Sequence, residues 1–64
     1  MSLKCDMEHG VQHHGNDNFH SILLRLMMKA DMGNMARLAR AFPNTAKVFK
    51  AWKDGEEVPD LEYD

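Results

Sequence analysis

The chain has 64 residues, 44% of them hydrophobic, and a formal net charge of −2 at pH 7. A chain of this length forms one domain at most, and folding hides only about 60% of the surface that the unfolded chain exposes. We therefore expect support from a metal or a partner chain, because the single cysteine, Cys5, excludes an internal disulfide. The apolar runs are too short to span a bilayer and no segment has the pattern of a secretion signal, so the sequence predicts a cytoplasmic protein without membrane association.

The first segment, residues 1–18, is a head rich in histidine, glycine and asparagine. We expect this head to be mobile, because it offers little apolar surface to bury. The first three residues have the character of a vector-derived start and receive no role in the predicted fold. At the end of the head, Asp17 or Asn18 can cap the helix that follows.

Three side chains of the head, Cys5, His9 and His13, are spaced four residues apart. On a helix they would share one face, and a thiolate with two imidazoles is a chemically sound zinc ligand set. Gly10 and Gly15 weaken such a helix, so a solvated head without metal or cofactor is the favoured interpretation.

The second segment, residues 19–54, carries apolar residues at helical spacing, and its first predicted helix runs from about Phe19 to Ala30. The stripe predicted to face inward consists of Phe19, Ile22, Leu23, Leu26, Met27 and Ala30. Leu24 and Met28 fall outside this stripe and would remain exposed in a monomer. We therefore predict a homodimer whose interface includes Leu24, Met28 and Met35.

Two further helices follow. The second is capped by Asp31, spans about Met32 to Phe42 and ends there, because the ring of Pro43 disfavours the helical conformation in the preceding residue. The third begins near residue 44 or 45, with Asn44 or Thr45 as its cap, and closes at residues 53–55, where lysine and then glycine follow the expected C-terminal pattern.

These elements predict an all-α fold, a three-helix unit made of a helical hairpin and a shorter third helix. The predicted core residues are Phe19, Leu23, Leu26, Met27, Leu38, Phe42, Val48, Phe49 and Trp52. The remaining segment, residues 55–64, is an acidic tail that we expect to be extended and to dock its apolar side chains onto the bundle.

Charge is distributed unevenly along the chain. The basic residues between Met32 and Lys53, a stretch without acidic residues, are Arg37, Arg40, Lys47, Lys50 and Lys53. The favoured interpretation is that the acidic tail neutralises them, within one chain or across a dimer, and the alternative is a polyanion-binding face. The second and third helices also have the rhythm of a helix-turn-helix motif, but no Arg, Asn or Gln pair stands on the third helix to read base edges.

Neither the methionines nor the polar residues form a recognisable reactive site. Six methionines are present. The four that lie around the connection between the first and second predicted helices are Met27, Met28, Met32 and Met35. Filling irregular gaps in a core is their favoured role, ahead of soft-metal binding. Ser21 and His20 are neighbours on one helix and therefore do not face each other. We expect no enzymatic activity.

The run KADMGNMARLARAFPNTAKVFKAW, preceded by FHSILLRLMM, resembles small uncharacterised proteins of phages and prophages of Gram-positive bacteria. Its most distinctive parts are Lys29-Ala30-Asp31, Asn34, Leu38 and Phe42-Pro43, whereas Asn44-Thr45-Ala46 stands where those proteins have acidic residues. The resemblance implies no known activity. We therefore expect a non-catalytic accessory protein that acts by helix-mediated protein binding or homodimerisation, with a nucleic-acid-binding module as the alternative.

Overall fold

In the computed structural model, the described residues are 2–10 and 18–64. The elements, in chain order, are α1 (Leu3–Cys5), a π-helical turn (Asp6–Gly10), α2 (Phe19–Lys29), α3 (Met32–Ala41) and α4 (Pro43–Lys53). These two ranges contain no β-strand. The predicted all-α fold and its three main helices are therefore confirmed, but α4, with 11 residues against 11 in α2 and 10 in α3, is not the shorter helix that the sequence predicts.

The starts of α2 and α3 follow the capping residues that the sequence indicates. The Oδ1 atom of Asn18 accepts a hydrogen bond of 2.8 Å from the backbone N–H of Ser21, which caps α2. Asp31 caps α3 in the same way, accepting from the backbone N–H of Asn34 at 2.8 Å. Both carboxamide and carboxylate oxygens satisfy amides that a helix leaves without an internal partner.

The start of α4 differs from the prediction. Phe42 alone links α3 to α4, and Pro43 is the first residue of α4, a position where its fixed φ and missing N–H cost nothing. Asn44 and Thr45 were expected to cap α4, and this prediction is wrong. They lie inside the helix, and their backbone N–H groups donate to the carboxylate of Asp64 instead.

The C-terminal end of α4 is closed as predicted. Gly55 has a φ of +74°, the left-handed conformation that glycine adopts without steric cost. The N–H of Glu56 donates to the carbonyl of Ala51 and the N–H of Gly55 donates to the carbonyl of Trp52. These two bonds form a Schellman motif, which turns the chain from α4 into the acidic tail.

The core lies where α4 packs against the other elements, and it includes residues outside the predicted core. The buried hydrophobic residues that form it are Leu3, Met7, Leu23, Leu24, Met27, Ala46, Val48, Phe49 and Val58. Leu38, Phe42 and Trp52 are partly buried against this cluster. Leu3 is fully buried, so giving Leu3 no role in the fold was wrong, and Met7 of the head is fully buried as well. The part of the head between residues 11 and 17 lies outside the described residues.

The orientation of α2 about its own axis also differs from the prediction. Phe19 is 62% exposed and Leu26 is 50% exposed, whereas Leu24 is fully buried. The inward face is rotated by roughly a quarter turn from the predicted stripe, since successive helical residues are about 100° apart. The cause is the π-helical turn that follows α1, because it packs against α2 and α4 and its Met7 is fully buried in the core.

The acidic tail is extended and returns along the bundle, as predicted. Val58 is buried in the core and Leu61 packs against its edge. Within residues 2–10 and 18–64, none of the helices combines the length and the apolar character needed to cross a membrane.

Candidate binding groove

An open, mainly apolar groove of about 680 Å³ lies between α3 and α4, and Met27 and Met28 of α2 also line it. We call it the methionine groove. Its apolar lining consists of Met27, Met28, Ala30, Met32, Met35, Ala36, Ala39, Ala46, Phe49 and Trp52. Its charged rim consists of Asp31, Lys50, Lys53 and Asp54.

Helical periodicity explains why two neighbouring helices build one groove. The lining residues of α3 are Met32, Met35, Ala36 and Ala39, which lie at positions i, i+3, i+4 and i+7. Those of α4 include Ala46, Phe49, Lys50 and Lys53, at the same spacing. Each helix therefore turns one complete face toward the groove, and the small side chains keep the space between the two faces open.

Methionines supply the most adaptable part of the groove wall. Met32 is 90% exposed and Met28 is 40% exposed, whereas Met27 beside them is buried in the core. The thioether side chain is unbranched and polarizable, so it can adjust to partners of different shape. The prediction that these methionines fill the core is confirmed for Met27 and in part for Met35, which packs partly buried against the core, but it is wrong for Met28 and Met32.

The predicted interface residues divide between the groove and the interior. Met28 and Met35 both line the groove. Leu24 is fully buried among helices of its own chain, so the prediction that it lies on an exposed subunit surface is wrong. The physical reason is the rotation of α2 described above. Homodimerisation itself stays a prediction.

The basic residues lie on the outer surfaces of α3 and α4. Arg37, Arg40, Lys47, Lys50 and Lys53 are all exposed, and none forms an ion pair with another described residue. Arg37 donates a hydrogen bond to Asn34. The predicted neutralisation by the acidic tail therefore involves no direct ion pair within the described part of the chain.

The connection between α3 and α4 bears on the helix-turn-helix alternative. The two helices are joined through Phe42 alone, whereas the turn of that motif usually has three to four residues. Lys50 and Lys53 also line an apolar groove, which is a poor surface for a phosphate backbone. Nucleic-acid binding stays a prediction that this geometry does not favour.

A second set of polar side chains ties the two ends of the described chain together. Asp6 is only 1% exposed. Its carboxylate accepts hydrogen bonds from the Tyr63 hydroxyl at 2.7 Å and from the Asn18 side-chain amide at 3.1 Å. The Tyr63 ring lies against the imidazole of His20, with ring centroids 4.3 Å apart. Because Asp6 is enclosed and already accepts bonds from two donors, we assign this set of residues to folding.

Of the three candidate metal ligands, the structure describes Cys5 and His9. Cys5 is an exposed free thiol and His9 is also exposed. His13 lies outside the described residues. Within residues 2–10 and 18–64, no three His, Cys, Asp or Glu side chains form a group that could hold a metal ion.

Sequence reasoning found the groove only in part, because Met28 and Met35 were identified as interface residues but the four alanines and Trp52 were not.

Comparison with protein families, with curated proteins and with solved structures finds no match for this chain. The resemblance to phage and prophage proteins therefore stays a prediction.

Proposed function

We propose that this protein is a non-catalytic interaction module that binds an amphipathic helix of another protein in the methionine groove. The observation that carries the proposal is the groove itself, in which α3 and α4 each present an i, i+3, i+4, i+7 face. Helix-in-groove recognition uses anchors at this same spacing on the bound helix.

The dimensions of the groove support a helical occupant. From Met32 to Ala39, the lining of α3 covers about 10 Å of helix axis, since each residue rises by about 1.5 Å. This length matches two turns of a bound helix, which would supply anchors at i, i+3 or i+4, and i+7. Met32, Ala36 and Lys50 are exposed, so the groove is open along its side. A pocket for a small molecule would instead enclose most of the ligand surface.

The exposed methionines support the same occupant. A side chain such as Met32, which is 90% exposed, gains little by folding and remains available for burial against a partner. Methionine-rich surfaces of this kind suit recognition of apolar helices, because the side chains can repack around them.

The test uses the intrinsic fluorescence of Trp52, which is the single tryptophan of the chain and lines the groove. The full chain is titrated with a synthetic helical peptide that carries leucine at i, i+3, i+4 and i+7. We expect saturable binding that Met32→Glu weakens roughly tenfold or more, because the charge would be buried against leucine. Ile22→Glu is the matched control, since Ile22 is 50% exposed and lies outside the groove.

Two results would contradict the proposal: absence of binding to the wild-type chain, or equal loss of binding in both variants. Sedimentation equilibrium of the same proteins tests the predicted homodimer. If the wild-type chain is dimeric and Met32→Glu makes it monomeric, a second copy occupies the groove and the heterologous partner is excluded.

A further inference from the structure

We infer that the partner helix is acidic along the edge that meets α4, an inference that rests on the function proposed above. Lys50 and Lys53 lie one helical turn apart on the same wall of the groove. Both side chains are exposed, and neither forms an ion pair with a described residue. An apolar helix that enters the groove would therefore run beside two uncompensated positive charges.

The opposite rim does not offer an equivalent negative edge. Asp31 lines the groove, but its Oδ1 and Oδ2 atoms both accept hydrogen bonds from Asn34, at 2.8 Å and 3.5 Å. The Asp31 carboxylate therefore caps the N-terminus of α3, where its negative charge interacts with the positive end of the helix dipole. Asp54 lies at the end of α4, beyond both lysines. We call the wall that carries Lys50 and Lys53 the lysine wall. It is therefore the part of the rim that selects the charge of the partner helix.

The acidic tail of this chain forms no ion pair with Lys50 or Lys53 among the described residues and is held to its own bundle at three points. Val58 is buried in the core, Tyr63 donates to Asp6, and Asp64 binds the N-terminus of α4. Thr45, which Asp64 contacts, lies about 12 Å along the helix axis from Lys53. The tail of a second copy would have to leave its own bundle before it could enter the groove. Charge complementarity thus points to a helix from a different protein, with Glu or Asp beside its apolar stripe.

Two peptides test this inference. They share the leucine face described above and differ only in the flanking positions, which carry Glu in one peptide and Lys in the other. We expect the wild-type chain to bind the Glu peptide roughly tenfold more tightly than the Lys peptide, since two exposed charge pairs change sign. The preference should shrink as the salt concentration rises.

Variants separate the lysine wall from the general basic surface. Lys50→Glu combined with Lys53→Glu should reverse the preference between the two peptides, and Lys50→Gln combined with Lys53→Gln should abolish it. The net-charge-matched control is Arg40→Glu combined with Lys47→Glu, because both residues are exposed and neither lines the groove. This control should keep the wild-type preference. Circular dichroism melting shows whether each variant is folded.

The possible failures are distinguishable. If both peptides bind the wild-type chain equally well, the acidic partner is wrong and the groove still binds helices. If neither peptide binds, the proposed function fails and the acidic partner fails with it. If the control pair loses the preference as fully as the groove pair, the charge selection belongs to the whole basic surface and the inference is overturned.

Discussion

Asp64 takes the place of an N-cap residue for Thr45 across a sequence separation of 19 residues. Its Oδ1 atom accepts hydrogen bonds from the backbone N–H of Thr45 at 2.9 Å and from the Thr45 hydroxyl at 2.6 Å. Its Oδ2 atom accepts from the backbone N–H of Asn44 at 2.6 Å. A carboxylate thus lies at the positive end of α4, which has no capping side chain of its own.

Replacing Asp64 by Ala should lower the free energy of unfolding by about 1 kcal/mol, the usual cost of losing an N-cap side chain. Asp60→Ala is the matched control, because Asp60 is an exposed acid of the same tail. Urea denaturation measures both changes. Equal stability of the two variants would show that the contact between Asp64 and α4 contributes nothing to folding.

The same carboxylate should make stability depend on pH in the acid range. Partial burial alone would raise the pKa of Asp64, but hydrogen bonds from the Thr45 hydroxyl and from the Asn44 and Thr45 amides lower it below the ordinary 3.8. Because the pKa is lowered, the Asp64 carboxylate contributes to the free energy of unfolding above pH 3.8. This contribution is lost as the pH falls through the pKa that Asp64 has in the folded state. The stability difference between wild type and Asp64→Ala should therefore shrink in acid. A difference that stays constant down to the acid transition would argue against a charged cap.

Tyr63 provides an independent probe of the contact with Asp6. Burial, followed by the hydrogen bond to Asp6 and the negative charge of that residue, raises the pKa of Tyr63 to about 12. Tyr63 is the single tyrosine, so phenolate absorbance reports it alone. The folded state favours the neutral form of Tyr63. The contribution of this side chain to the free energy of unfolding is therefore complete below pH 10.0 and is lost as the pH rises toward 12.

Tyr63→Phe should lower the free energy of unfolding by about 1–3 kcal/mol, since it removes a donor from a buried carboxylate. The ring that contacts His20 is retained in this variant. A titration of Tyr63 close to pH 10.0 in the folded protein would contradict the contact with Asp6.

How much of this structure the sequence predicts depends on the range of the interaction involved. The caps at Asn18 and Asp31 and the glycine closure at Gly55 are local, because donor and acceptor lie within a few residues, and all three were predicted. Leu3 and Asp64 make contacts with residues distant in the chain, which no spacing pattern reveals. The spacing of apolar residues in α2 predicts an inward face without Leu24, because that pattern takes no account of the contribution of Leu3 and Met7 to the core.

A pair of leucines on α2 tests the corrected orientation. Leu24 is fully buried and Leu26 is 50% exposed. Leu24→Ala should cost about 2–5 kcal/mol, the range for truncation of a buried leucine. Leu26→Ala should cost less than about 1 kcal/mol, as expected for a surface position. Thermal or urea unfolding of the two variants decides the question. A larger loss of stability for Leu26→Ala than for Leu24→Ala would favour the inward face that the spacing pattern predicts.

Oxidation should separate the methionines of the groove from those of the core. Met32 is 90% exposed and Met28 is 40% exposed, whereas Met7 and Met27 are at most 2% exposed. Mild treatment with hydrogen peroxide should therefore convert Met32 and Met28 to sulfoxides first, as peptide mass spectrometry would show. A sulfoxide is polar, so binding of the leucine-faced peptide should weaken while the melting temperature changes little. Methionine sulfoxide reductases should restore peptide binding. The variant Met32→Leu should keep its peptide binding after the same peroxide treatment.

Two outcomes would contradict this assignment of the methionines. Oxidation of Met7 at the same rate as Met32 would mean that the N-terminal part of the core opens readily. Unchanged peptide binding after oxidation of Met32 would mean that this side chain does not belong to the binding surface.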